Sequence, residues 1–171
     1  MPDSDAQDTP ITLDGGDARF KYRVVGVALR DGKVLLHRRE PDGFWCLPGG
    51  RARLMEPSAD TLRREMQEEL GISVEVQRLV WVVESFCRYH GTPHHTLALY
   101  FLIALPPGQQ VPSEGEDDGV RVVFEWFPVT ELGSVPLYPA FLRKALVDIP
   151  GAAVHVVQTH GDLPLAGEPT P

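Results

Sequence analysis

From Phe20 to Leu29 polar and apolar residues alternate before the chain becomes mostly apolar, which predicts a strand. Arg30-Asp31-Gly32-Lys33 supplies a hairpin turn, and Val34 to Arg38 is the partner strand. Asp42-Gly43 turns the chain again, and Phe44-Trp45-Cys46-Leu47 runs extended into Pro48-Gly49-Gly50. The period then changes. Ala59, Leu62, Met66 and Leu70 recur at spacings of three and four, predicting a helix with Pro57 at its first position and Gly71 just past its end. Val74 to Phe86 reads as a long strand with a bulge, and His94 to Leu105 as another, joined by the polar loop Arg88 to Pro93. Pro106 to Gly119, with three Pro, three Gly and four acids, reads as a flexible loop. Val120 to Phe127 is a strand, Pro139 to Val147 a short helix, and Val154 to Gln158 a terminal strand.

Antiparallel strands with two helices, one inserted early, predict an α/β sandwich around a mixed sheet. The 171 residues fit one domain. Residues 1–16 read as a mobile leader, 17–150 as the domain, and 151–171 as a C-terminal extension ending in a Pro/Gly-rich tail. Composition narrows the partners. A net charge of −8 and a pI near 5.2 disfavour long nucleic acid, which needs a cationic surface. No apolar run is long enough for a bilayer and no apolar segment follows the acidic N-terminus, so the expectation is a cytoplasmic protein without a membrane partner. Cys46 and Cys87 are too few for a disulfide scaffold or a zinc cluster. Oligomeric state stays open between monomer and homodimer.

The helix carries the chemistry. Glu65, Glu68 and Glu69 fall within an arc of roughly 100° beside the apolar stripe. Like charges at these spacings repel by about 0.2–0.5 kcal/mol per pair, and Arg64 offsets only part of that. A solvated acidic face would explain the charge but not the Leu-Pro-Gly-Gly and fixed-length loop before it. A hard cation explains both, because Mg2+ or Mn2+ prefers oxygen ligands and shares them with substrate phosphates. Gly49 and Gly50 allow the backbone to approach a metal or phosphate closely.

Gly50, Glu56, Arg64, Glu65, Glu68, Glu69 and Gly71, with apolar Met66 and Ile72, match G-x5-E-x7-R-E-U-x-E-E-x-G-U, where U is bulky and apolar. Seven fixed matches arise by chance at a given start roughly once in 10^9 trials. The chain thus resembles a Nudix hydrolase over about residues 17–150, with Met66 a slight departure from the usual Ile, Leu or Val. The resemblance implies an α–β–α sandwich and a Mg2+-dependent pyrophosphohydrolase, with Mn2+ a substitute, cleaving a nucleoside diphosphate linked to another moiety. Such a substrate is a nucleoside triphosphate, a dinucleoside polyphosphate or a nucleotide sugar. It also implies metal carboxylates at Glu68 and Glu69, a third ligand or the water-activating base at Glu65, a backbone carbonyl near Gly50, and Arg64 as the group orienting the glutamates. Glu56, at the helix start, is expected to be structural and to pair with Arg64.

Outside the motif the candidates are Glu125 before Trp126 as a further metal ligand, in competition with Glu116, Asp117 and Asp118. Candidates for substrate contact are Arg39 or its neighbour Arg38, Glu84, Tyr89, and one of His94 and His95, with His95 preferred. Phe44, Trp45 and Phe86 are expected in the core or stacked on a base. Two rival functions share the fold: a non-catalytic nucleotide sensor and a prenyl-diphosphate isomerase. The isomerase type relies on a reactive Cys and an altered motif; Cys46 and Cys87 are present, but the intact acids argue against both rivals.

Overall fold

The computed structural model describes residues 9–168, so the first eight residues of the expected leader and the last three of the tail lie outside it. Nine strands form one mixed sheet: β1 (Thr12–Gly15), β2 (Ala18–Arg30), β3 (Lys33–Arg39), β4 (Gly49–Arg51), β5 (Glu75–Tyr89), β6 (Thr92–Ala104), β7 (Glu114–Asp117), β8 (Val120–Pro128) and β9 (Val154–Asp162). Helix α1 spans Ser58–Leu70 and α2 Leu142–Ala145. The main path runs β7-β8-β3-β2-β6-β5-β9, with β1 and β4 also paired to β2.

β2 is the spine. It pairs antiparallel with β1, β4 and β3 at successive levels and parallel with β6 from Arg19 to Ala28. Its apolar end is buried because cores form on both sides. On one face Val24, Ala28 and Leu35 pack with Leu62, Met66 and Leu70 of α1. On the other, Val25, Val27 and Leu36 meet Leu132, Leu137 and Leu142 from the segment that includes α2. This is the expected α–β–α arrangement. α1 starts one residue later than expected, with Pro57 as its extended N-cap, and ends at Gly71 in the left-handed region.

Three expectations change. Residues 12–15, read as leader, form β1 on β2. The polar loop 88–93 is a tight hairpin, with the register continuous through Tyr89↔Thr92. The flexible loop contains β7, joined to β8 by Asp118-Gly119, both at positive φ as a two-residue hairpin favours. β7 lies against the C-terminal turn of α1, where a side chain on Gly115 would strike the Glu69 carbonyl. The tail also folds back: Gly43 N–H donates to the Pro164 carbonyl at 2.9 Å, and Leu163 N–H to that of Arg88 at 2.8 Å.

Leu62 is fully enclosed between α1 and β2. Leu62→Ala is therefore expected to lower the unfolding free energy by about 2–5 kcal/mol, read by denaturant titration.

Candidate active site

The acids stand on the rim of a cleft of about 510 Å³, between α1, the Gly49–Gly50 backbone, the β7–β8 hairpin and the charged end of β2. Arg64 organises them. Its Nε and Nη2 donate to the two oxygens of Glu56 at 2.7 and 2.9 Å, and Nη2 also reaches the Arg51 carbonyl at 3.2 Å. Nη1 donates to Glu65 at 2.7 Å and Glu68 at 3.1 Å. Glu56 accepts further from Thr61 Oγ1 at 2.8 Å and Arg53 N–H at 3.1 Å, clamping the loop to the helix start. The Arg64 bonds above all, and those from Thr61 and Arg53, hold its carboxyl down at about 2 against partial burial. The expected Glu56–Arg64 pair is present.

Glu65 lies directly over Gly50, where a methyl group would fall on its carboxyl carbon. Burial pushes the Glu65 carboxyl above its ordinary range, and Arg64 pulls it back in part. Glu69 is 7% exposed, and neither carboxylate oxygen has a hydrogen-bond partner. His37 Nδ1 lies 3.7 Å from Oε2, an ion-pair distance beyond hydrogen-bond reach, and against the cost of burial Cys46 and Glu69 push the imidazole up. A buried carboxylate with no hydrogen bond and one loosely placed imidazole beside it is poorly compensated, a cost that an arriving cation would offset. Among the described residues no three acid, His or Cys side chains already converge as a closed ligand set, since Glu65 and Glu68 are turned toward Arg64. The donors fit a hard cation by their chemistry: carboxylate oxygens, one of them orphaned, beside a side-chain-free backbone.

Across the cleft stand cations that were not anticipated: Arg19, Lys21 and Arg23, at alternate positions of β2, with Arg51. Lys21 is brought down to about 8, by burial first and then by Arg23, Arg51 and Arg19. His94 is held at about 4 by burial, Lys21 and Arg19, and is neutral at pH 7. Arg39, as expected, is on the wall, 3.5 Å from Asp117. A second recess of about 180 Å³ continues from these groups, sharing Lys21, Arg23, Arg39, Tyr89 and His94. Phe44 meets Tyr89 and Tyr138 edge to face at 6.2 and 5.5 Å, and Tyr89 donates its hydroxyl to buried Asp42 at 2.8 Å.

Strand alternation removes several candidates from the site. Glu125 registers with Leu36 and is exposed, between Phe124 and Trp126, which pack toward α1; it points to the opposite face, away from the carboxylates. The carboxylates that reach the cleft are Glu116, Asp117 and Asp118. Glu84 alternates with Ser85 of the recess and pairs outside it with His155 at 2.8 Å. His95 stacks on Phe86 at 4.4 Å outside the cleft, and the cleft takes His94 instead. Arg38 lies over Trp45 at 5.0 Å and does not line the cleft. The Arg19-x-Lys21-x-Arg23 alternation was the readable signal for the cationic wall, and Asp118-Gly119 the one for the hairpin.

The NUDIX domain family model matches residues 21–148. A MutT-like protein of Streptomyces ambofaciens is 34% identical over 134 residues, covering 78% of this chain and 79% of that one. A Bacillus subtilis protein provisionally named an ADP-ribose pyrophosphatase is 31% identical over 90 residues, 52% of this chain; the match spans only 43% of that relative's length. Among solved structures, a MutT protein of Bacillus halodurans aligns with a TM-score of 0.63 at 17% identity, over 87% of this chain and 99% of that one. An ADP-ribose pyrophosphatase of Streptococcus suis gives 0.54 at 21% identity, over 81% and 98%. At these identities the structures speak for the fold alone. No described helix is long and apolar enough to cross a membrane.

Two outcomes test the geometry. The stability contributed by Glu56 should be whole above the ordinary carboxyl value of 4.5 and be lost as pH falls through about 2. Unfolding titrations should therefore show a steeper acid loss in the wild type than in Glu56→Gln. Gly50→Ala should keep the fold by circular dichroism and still lower turnover at least about tenfold, because the methyl displaces Glu65.

Proposed function

This chain belongs to the NUDIX family, and from that premise we propose that it is a divalent-cation-dependent hydrolase of pyrophosphate bonds, acting on a nucleoside diphosphate linked to a further moiety, with Mg2+ the working ion and Mn2+ a substitute. The observation that carries the reading is Glu69. Its carboxylate is buried without a hydrogen bond, with only the His37 imidazole 3.7 Å away, beside two glutamates held by one arginine, an arrangement that a bound cation would stabilise.

Bound divalent ions supply charge neutralisation at the phosphates and a lowered pKa for a bound water. The remaining work falls to side chains. Glu68 and Glu69, with the carbonyl near Gly50, would hold the ion. Arg64 sets the direction of Glu65 and Glu68 through charge-assisted bonds. Glu65, whose carboxyl burial raises while Arg64 pulls it back in part, would be either a third ligand or the base that takes the water's proton. Arg39 sits on the wall where a phosphate would pass. The aromatic recess supports a nucleoside: Phe44, Tyr89 and Tyr138 offer ring surfaces beside the buried carboxylate of Asp42.

The two rivals lose support here. An isomerase of the Cys-dependent kind needs a reactive thiol; Cys46 and Cys87 line the recess rather than the cleft that holds the acids, and burial pushes the Cys87 thiol up, away from its nucleophilic form. A sensor has no need of a complete set of acids.

Glu69→Gln or Glu68→Gln should lower turnover at least about a hundredfold in saturating Mg2+ with the fold retained. Product chromatography on a panel of nucleoside triphosphates, dinucleoside polyphosphates, nucleotide sugars and ADP-ribose reads both activity and substrate. Wild-type rates in both variants would refute the assignment. Nucleotide binding without turnover in the wild type would favour the sensor.

A further inference from the structure

The cleft has two electrostatic halves that do not complete each other. Most of its cations are matched to carboxylates: Arg19 to Asp14 at 2.6 Å, Arg51 to Asp118 at 3.2 Å, Arg39 to Asp117 at 3.5 Å, and Arg64 to Glu56 and Glu65 at 2.7 Å. Lys21 and Arg23 are different. They project from alternate positions of β2, line both the cleft and the recess, and make no ion pair with any described carboxylate. Arg23 spends one donor on the Gly49 carbonyl at 2.9 Å, which ties it to the backbone beside the acids.

We propose that Lys21 and Arg23 form an anion subsite for a phosphate additional to the diphosphate held at the glutamates, so that this enzyme prefers nucleotides with three or more phosphates over nucleotide sugars. The proposal rests on the pyrophosphohydrolase reading and names the character of the further moiety: it is anionic. Divalent ions answer the charge of Glu65, Glu68 and Glu69. They leave Lys21 without a carboxylate, compete for the one that Arg23 attracts, Glu65, and bring more positive charge to the same cleft. A diphosphate diester carries two negative charges, both spent at the metal side. A third phosphate supplies the missing ones.

The surroundings of Lys21 agree. Burial above all, and then Arg23, Arg51 and Arg19, lower the Lys21 pKa to about 8, with Cys87 acting weakly in the other direction. An ammonium crowded in this way is costly in the empty cleft and is relieved by an arriving anion. His94 beside it is uncharged at pH 7, so it adds no competing positive charge. The position between the recess and the acids places the subsite along the path of an extended polyphosphate.

Steady-state kinetics on the full chain test this with a nucleoside triphosphate and a nucleotide sugar sharing one base. Lys21→Gln should raise KM for the triphosphate about 10- to 100-fold, the effect of one lost charge-assisted contact, with kcat within about threefold and the sugar's KM within about twofold. Lys21→Arg should restore most of the loss. Equal losses on both substrates would mean that Lys21 serves the scissile diphosphate and would overturn the proposal, as would no loss or a wild-type preference for the sugar. Calorimetry with inorganic tripolyphosphate in chelator separates this from the activity itself. Binding weakened about tenfold or more by Lys21→Gln supports the subsite even in a protein that hydrolyses nothing. No binding, or binding indifferent to Lys21, overturns it.

Discussion

One guanidinium shared among three glutamates holds this site in place. Arg64 meets both oxygens of Glu56 and one each of Glu65 and Glu68, and reaches the Arg51 carbonyl of β4. Helix, preceding loop and β4 are thereby locked at a fixed separation. The apolar stripe beneath, Leu62 and Met66 against Val24 and Ala28, sets the rotation of α1 and so the direction of every acid on it. Only Gly at position 50 leaves room for Glu65 in that geometry. Packing places the helix, and the arginine then places the charges.

With those positions settled, Glu69 stands in a pocket where burial removes water and supplies no hydrogen bond in return. A carboxylate there, compensated only by His37 at 3.7 Å, is an expensive feature for a fold to keep. On the opposite wall Lys21 is disfavoured as a cation, first by burial and then by neighbouring Arg23, Arg51 and Arg19. Strain of opposite sign on two sides of one cleft is what a ligand carrying both divalent metal and phosphate would relieve, which is how the NUDIX membership and the electrostatics of this chain come to agree.

The motif helix was readable because a 3.6 period, a Gly terminator and a fixed acid spacing all agreed locally. Glu56 with Arg64 followed from the same register. β7 was missed because its Gly, Pro and acids resemble a loop, and its strand form depends on pairing to β8 and packing on α1, contacts remote in sequence. Parity decides which outer candidates face the cleft. Glu84, His95 and Glu125 each sit one residue from a position that faces the cleft, the recess or the α1 side, and a one-residue offset in a strand turns a side chain to the other face. Periodicity alone could not decide which face of β5, β6 or β8 was the useful one. The Asp42 contact to Tyr89 joins residues 47 apart, and no local pattern announces it.

The central claim is that buried Glu69, which makes no hydrogen bond, and its neighbours exist to hold divalent cations. Titration of Mn2+ into isotopically labelled protein, followed by paramagnetic broadening of backbone amide signals, tests it most directly. The account predicts that broadening begins at residues 49–51 and 65–69 at substoichiometric ion and is abolished there in Glu69→Gln. Broadening spread evenly over the acidic surface, or unchanged by that substitution, would contradict it.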